Sequence, residues 1–284
     1  RLICDKGPLA RAFVVSTQPL RRHRKVNSMS NQSSTRPAGQ FLILDTESIW
    51  DRIAYDRYAA TDRKAAPPRW TTRKIVSASL LDLRIDDGEL SHVALKSLPG
   101  CSEETLIPQL FDELLIRPDH QLVTFGGLNA EQPILEMAAM RLHRKLPRAL
   151  RKSERFGRFD DYRHLDLAKA LKGGGSYCHL AEIASALDLP FKCAGSADRV
   201  EHLASSGRWK AITEISEIDT ISTGLLLLAW LGANGSIEHP LAKQISLLTR
   251  LMQRQEPASY IGDLRATRDE MTNRLFVEAS QAAA

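Results

Sequence analysis

The order of apolar segments predicts an α/β domain in which helices flank one mixed β-sheet, with a helical C-terminal extension. Three observations carry this. Apolar runs of strand length come first and include a hairpin. Helix and strand patterns then alternate. A long series of helical patterns closes the chain.

Residues 41–44 (FLIL) are a short apolar run ending in Asp45-Thr46-Glu47, so the first strand delivers carboxylates at its C-terminal end. Residues 61–72 are polar and contain Pro67-Pro68, which predicts a loop. Residues 74–83 (KIVSASLLDL) predict a second strand, Asp86-Asp87-Gly88 a turn, and residues 90–95 a third strand, giving an antiparallel hairpin. Ser102 is placed to cap a helix with Glu103 and Glu104 in its first turn. Leu106, Ile107, Leu110, Phe111 and Leu114 keep helical spacing until Pro118. Residues 121–125 predict a fourth strand, followed by a helix over 130–142 and an exposed basic loop over 144–162. A short element starts at His164. Helices are then predicted over 179–187, 197–206 and 209–231, and again from 240 onward.

The net charge of +5 is uneven. Residues 1–40 hold eight Lys or Arg against one acid, while the rest of the chain holds 31 basic against 33 acidic residues. The basic character therefore belongs to an arm, and any nucleic-acid groove on the folded part must be a local patch. The arm lacks an apolar period, and its Ser/Asn/Pro/Gly-rich end predicts disorder. Three readings fit it: a transit-peptide-like leader, a nucleic-acid-attracting arm, or sequence upstream of a start at Met29, the one favoured here. The expected organisation is a disordered segment over 1–40, an α/β domain over 41–232 and a helical extension over 233–284. The four cysteines, Cys4, Cys101, Cys178 and Cys193, have no zinc-like spacing and fit unpaired thiols in a reducing, cytoplasmic setting. The apolar run GLLLLAW is too short to span a bilayer, so no membrane partner is expected.

Residues two apart on a strand face the same side, so Asp45 and Glu47 point together. Like charges so placed repel unless a cation lies between them, and hard oxygen ligands suit Mg²⁺ or Mn²⁺. Two such ions about 4 Å apart can activate water and stabilise the leaving oxygen of a phosphodiester. That chemistry needs further carboxylates from other elements. Glu131, after the fourth strand, and Asp219, on the long apolar helix, are the candidates. Arg148, Arg151, Lys152 and Arg155 belong to a basic run interleaved with Phe156 and Tyr162, a pattern able to grip a phosphate backbone and stack bases.

Several segments together resemble the DEDD superfamily of 3′–5′ exonucleases, which are ribonuclease H-like. FLILDTE resembles the first motif. LVTFGGLNAEQPILEMAAM resembles the second, in the form used by predicted exonucleases related to the proofreading domain of family B DNA polymerases. HLDLAKAL, HLAEIASALDLPFK and GSADRVEHLASSGRWKAITEISEIDTISTGLLLLAWL resemble the stretch through the third motif. The resemblance runs over about 41–231 and implies a ribonuclease H-like mixed sheet. It makes Asp45, Glu47, Glu131 and Asp219 the ligands of two Mg²⁺ or Mn²⁺ ions, and places Lys192 where it contacts phosphate. It gives His164 and Asp166 a supporting role. The implied substrate is single-stranded DNA or RNA with a free 3′ end.

The sequence departs from the pattern at the second and third motifs. Gly126 stands where the family carries Asn, and Glu131 where it carries Asp. Ile215 lies four residues before Asp219, at the position of a water-orienting Tyr. Glu214 occupies the alternative position five residues before, which makes it the candidate base. Glu217, two residues from Asp219, is expected to be solvated. These departures leave two readings: a weakened exonuclease, or an inactive nucleic-acid-binding or assembly protein that keeps the fold.

Overall fold

The computed structural model describes residues 39–61, 67–100, 102–151, 163–172, 175–190, 197–253 and 258–282. The expectation of disorder over 1–40 falls outside these, except that residues 39 and 40 open the first strand. Lys152, Arg155 and Lys192 also lie outside the described residues.

The elements run β1 (Gly39–Trp50), α1 (Arg52–Thr61), β2 (Arg73–Asp86), β3 (Glu89–Pro99), α2 (Glu103–Leu115), β4 (Gln121–Thr124), α3 (Glu131–Arg141), β5 (His164–Asp166), α4 (Leu167–Lys172), α5 (Leu180–Ala186), α6 (Ala197–Ser205), α7 (Trp209–Ala233), α8 (Pro240–Met252) and α9 (Ile261–Ala282). Each predicted strand and helix is present. α1 was not anticipated: its sequence has no apolar stripe, and none of its residues is buried. A single-turn 3₁₀ helix, Trp70–Thr72, leads into β2. Ser102 sits at the N-terminus of α2 without capping it by its side chain; its hydroxyl donates to Glu104 instead.

The sheet order is β3-β2-β1-β4-β5. β1–β2 and β2–β3 pair antiparallel, and β1–β4 and β4–β5 parallel. This is the ribonuclease H-like arrangement, with the acid-bearing first strand at the centre.

The period of two sorts β1 and β2 between two cores. Leu42, Leu44, Ala78 and Leu80 face α2 and α3. Phe41, Ile43, Leu81 and Leu83 face α7 and α8. α7 is apolar nearly all round because both its sheet side and its α8 side are covered. By length and composition it could cross a bilayer, which GLLLLAW alone did not suggest; 78% of its most apolar window is buried inside the protein, which is a sufficient reason for that composition. Gly224 sets its approach to the sheet: a Cβ there would lie 2.7 Å from Leu81 Cδ2.

α8 and α9 share the α7 core through Leu247, Leu248, Leu264 and Met271. Gln244 donates to the Leu225 carbonyl (2.9 Å), and the Arg250 guanidinium donates to the carbonyls of Leu90 and Ser91. The expected extension is thus packed on the sheet layer.

Away from the strand end that carries Asp45 and Glu47, Asp82 of β2 is also buried. It accepts from Arg117 Nε (3.0 Å) and lies 3.2 Å from His120 Nε2. Burial pushes its carboxyl up, but Arg117, His120 and Arg84 outweigh burial and the net shift is downward.

Candidate metal centre

β1 continues past its apolar run and stays paired with β2 to Trp50, with a register shift between Glu47 and Ser48 that leaves Val76 of β2 as the extra residue. Asp45 and Glu47 stand on the face covered by α7, just before that shift. Asp219, on α7, meets them there. One carboxylate oxygen from each of Asp45, Glu47 and Asp219 lies within 4.8 Å of the others. The three carboxylates line a cleft of about 570 Å³ together with Glu131.

Glu131 is placed by local backbone chemistry. Asp166, at the end of β5, accepts from the N–H groups of Gly126 (2.8 Å), Leu128 (3.1 Å) and Lys169 (3.2 Å). This pins the loop between β4 and α3, so that Glu131 is the first residue of α3. Gly126 has φ +77°, a left-handed conformation that glycine adopts at low cost. His164, alongside on β5, is buried and lies 2.9 Å from Thr124 Oγ1 through Nε2. Burial lowers it to about 4, so it is neutral at ordinary pH. Asp166 and His164 are therefore supports behind the cleft.

The acids are under strong mutual repulsion. Burial first, then Glu47, Asp219 and Glu131, raise Asp45 well above the usual carboxylate range. Burial, Asp219 and Glu131 push Glu47 up to about 8, against a smaller pull from Arg73. Burial, Asp166 and Asp219 push Glu131 up to about 7. Asp45 Oδ2 and Glu131 Oε2 are buried without a hydrogen-bond partner. An all-oxygen donor set with orphaned lone pairs and raised proton affinity fits a hard divalent cation, which would reverse each of these penalties.

Other expected residues lie elsewhere. Glu214 is buried outside the cleft lining: Oε1 accepts from the Ser259 N–H (3.1 Å) and Oε2 from its hydroxyl (2.6 Å). Five residues along a helix amounts to about 140° of rotation from Asp219, which turns Glu214 toward the segment before α9. It is not placed to act as a base on water at the acid cluster. Glu217 is not solvated; it is buried and accepts from Ser97 Oγ and from Tyr260 Oη (2.6 Å). Ile215 does line the cleft and packs with Val76 and Val200.

Arg148 and Arg151 are exposed and outside the cleft lining, and Arg151 Nε donates to the Leu146 carbonyl (2.6 Å). Arg141, of the same basic run, is held by Glu103 (2.8 Å). The sequence reading missed the cleft residues Trp50, Trp70, Arg73 and His179. Only the β1–β2 register, which pairs Trp50 with Arg73, could have flagged the first and third.

No curated protein matches the chain. Among solved structures, it is similar to the family B DNA polymerase from the hyperthermophilic archaeon Pyrobaculum calidifontis, at 13% identity and a TM-score of 0.48, covering 78% of this chain and 31% of that one. It is also similar to E. coli exonuclease I in complex with a dA16 oligonucleotide, at 10% identity and a TM-score of 0.40, covering 75% of this chain and 45% of that one. The chain thus spans under half the length of either. Residues 68–267 match the family described as "Predicted 3'-5' exonuclease related to the exonuclease domain of PolB", a span that holds Glu131 and Asp219 and follows Asp45 and Glu47. With most of its length inside that match, the chain belongs to the family of predicted 3′–5′ exonucleases related to the exonuclease domain of family B DNA polymerases.

Proposed function

We propose that this protein is a metal-dependent 3′–5′ exonuclease that hydrolyses phosphodiester bonds at free 3′ ends of single-stranded nucleic acid. The observation that carries the reading is the convergence of Asp45, Glu47 and Asp219 from two elements within 4.8 Å, with Glu131 in the same cleft. Asp45, Glu47, Glu131 and Asp219 would hold two Mg²⁺ or Mn²⁺ ions. Bound there, the ions supply Lewis-acid stabilisation to the phosphoryl oxygens and acidify water near neutral pH.

The chain's own contribution is positioning and charge. β1 fixes Asp45 and Glu47 on one face, α7 fixes Asp219 from the other side, and the Asp166-pinned loop fixes Glu131. Ile215 stands where the resemblance expects a Tyr and has no proton to exchange. Glu214 is committed to Ser259. With no protein base at either position, turnover is slow relative to a site that has one, by about 10²–10⁴-fold, the usual contribution of such a group.

The test is digestion of 5′-labelled single strands of DNA and RNA, with free or blocked 3′ ends, in Mg²⁺ and in Mn²⁺. Stepwise shortening from free ends, absent in EDTA and in Asp45→Ala, is expected. A folded protein that binds the strands and shortens none of them would move the reading to the binding or assembly protein.

A further inference from the structure

The cleft has one wall that the metal chemistry does not use. Trp50 ends β1 and Arg73 begins β2, and the sheet pairs them directly. The Arg73 guanidinium carbon lies 4.3 Å from the centroid of the Trp50 ring. Its Nε donates to Ser48 Oγ (2.9 Å) and its Nη2 to the Ser48 carbonyl (2.8 Å). The Trp50 backbone N–H donates in turn to Glu201 Oε1 of α6 (2.6 Å). The guanidinium is thus held over an indole, with two of its five N–H groups engaged by Ser48. It stands in a cleft whose other ionisable lining residues, among those described, are the four carboxylates and His179.

Trp70 lines the same cleft from the 3₁₀ turn just ahead of β2 and is 47% exposed. Its turn is anchored. The Thr72 N–H and hydroxyl both donate to the Arg69 carbonyl (2.9 Å each), and the Asp51 N–H donates to the Thr72 carbonyl (2.7 Å). A single exposed apolar residue needs no explanation on an ordinary surface. Here the indole is carried on an anchored turn and lines the same acid-lined cleft as the held guanidinium. A ligand that covers the indole needs a flat apolar face, and one that satisfies the guanidinium together with cations held by the carboxylates needs phosphate. A nucleotide carries both.

We propose that Trp70 and Arg73 form the subsite for the 3′-terminal nucleotide, with the indole stacking on its base and the guanidinium taking phosphate beside Glu47. The proposal rests on the exonuclease reading above and narrows its substrate. Stacking accepts any base, because every base has a π-face, so the subsite selects no sequence. It requires a base free to leave its neighbours, so it favours frayed or single-stranded ends over paired ones. Arg73 is also suited to the task where a lysine is not, since its planar fork can meet two phosphate oxygens while its carbon stays over the Trp50 ring.

The experiment is fluorescence anisotropy of 5′-labelled single-stranded DNA in Ca²⁺, used as a hard oxygen-bound cation. Two strands are compared, one with an ordinary 3′-terminal nucleotide and one ending in an abasic analogue. Trp70→Ala is expected to weaken binding of the ordinary strand about 10-fold and to leave the abasic strand unchanged, whereas Trp70→Phe keeps most of the affinity. Arg73→Ala is expected to weaken both strands alike, with Arg73→Lys restoring only part. Circular dichroism of the exposed-site variant Trp70→Ala checks that it is folded. Equal losses on both strands for Trp70→Ala, no loss on either, or a wild-type protein that binds neither strand would each overturn the subsite. Anisotropy reads binding alone, so a protein that binds as expected but never cuts overturns the exonuclease reading and leaves the subsite standing. One that cuts equally well with Trp70→Ala on both strands overturns the subsite alone.

Discussion

A buried carboxylate of this sheet, Asp82, and the half-buried acid cluster at Asp45 are treated in opposite ways by their surroundings. Asp82 is met by Arg117 and His120, with Arg84 at 3.5 Å, and ends below its ordinary proton affinity. Asp45, Glu47 and Glu131 face one another and Asp219, and end above theirs. The first group is complete within the chain. The second is left with like charges facing one another, against a smaller pull from Arg73. An acid cluster that the fold half-buries and leaves facing its own charge is a mark of a site, whereas a compensated acid is a mark of architecture.

The sharpest way to test that contrast is to remove one acid from each group. Asp219→Ala or Asp45→Asn should lower cleavage by at least about 10³-fold, the scale of several kcal/mol of lost transition-state stabilisation. Neither should lower the melting temperature of the metal-free protein, because each relieves repulsion. Asp82→Asn should do the reverse. It strands Arg117 beside His120 and should destabilise the fold by about 3 kcal/mol, with cleavage per folded molecule unchanged. Denaturant melts set beside rate measurements on both variants decide the matter; equal behaviour of the two would erase the distinction.

Cations provide the next largest effect. At 100 times its dissociation constant, Mg²⁺ or Mn²⁺ should stabilise the wild type by about 2.7 kcal/mol, and by much less in Asp45→Asn. Scanning calorimetry with and without EDTA reads this directly. A cation effect of the same size in the variant would place the ion elsewhere.

The pH dependence of stability should carry opposite signs for the two groups. Glu47 rises from an ordinary value of 4.5 to about 8 in the fold. A raised carboxyl favours folding fully below the unfolded value, and that contribution is lost as pH rises from about 4.5 toward 8. Metal-free protein should therefore lose stability across that window, and saturating cation should flatten the curve. The lowered Asp82 contributes above its ordinary value of 3.8, and its share disappears only as pH falls through and below that point. Melts in EDTA between pH 3 and pH 9 separate the two slopes.

The smallest effect belongs to α7. Glu217→Gln keeps the shape of a carboxylate that accepts from Tyr260 and Ser97 but removes its charge, and should cost about 1–2 kcal/mol. A change below the error of the melt would make this contact incidental to holding α7 in place.

Much of this was legible in the sequence, for reasons that differ by residue. Asp45 and Glu47 follow an apolar run at strand spacing, so their common face came from the pleat alone. Asp219 lies in the one helix apolar enough to be central. Glu131 was found by its place just after a strand. Glu214 and Glu217 were misjudged because their partners, Ser259 and Tyr260, sit some forty residues away and meet them only through the packing of α8 and α9. The same distance hid the union of the C-terminal helices with the main core. Trp50, Trp70 and Arg73 escaped notice because a helix and a Pro-containing loop separate the first from the others in the chain. Strand pairing, which local pattern does not report, unites Trp50 with Arg73. The basic run drew attention as a charge cluster, yet Arg141 is occupied by Glu103, and Arg148 and Arg151 lie outside the cleft.

The cluster also has an order of assembly. Asp45 belongs to the first strand of the fold, while its partner helix comes far later: Ser216 Oγ reaches back to the Asp45 carbonyl (3.4 Å) across 171 residues. At a ribosomal rate of about 5–20 residues per second, the strand is made roughly 10–30 s before that part of α7. Through that interval the nascent chain lacks Asp219. Asp219 arrives with the helix that closes the sheet, so the acid cluster becomes whole at nearly the same moment as the fold that shelters it.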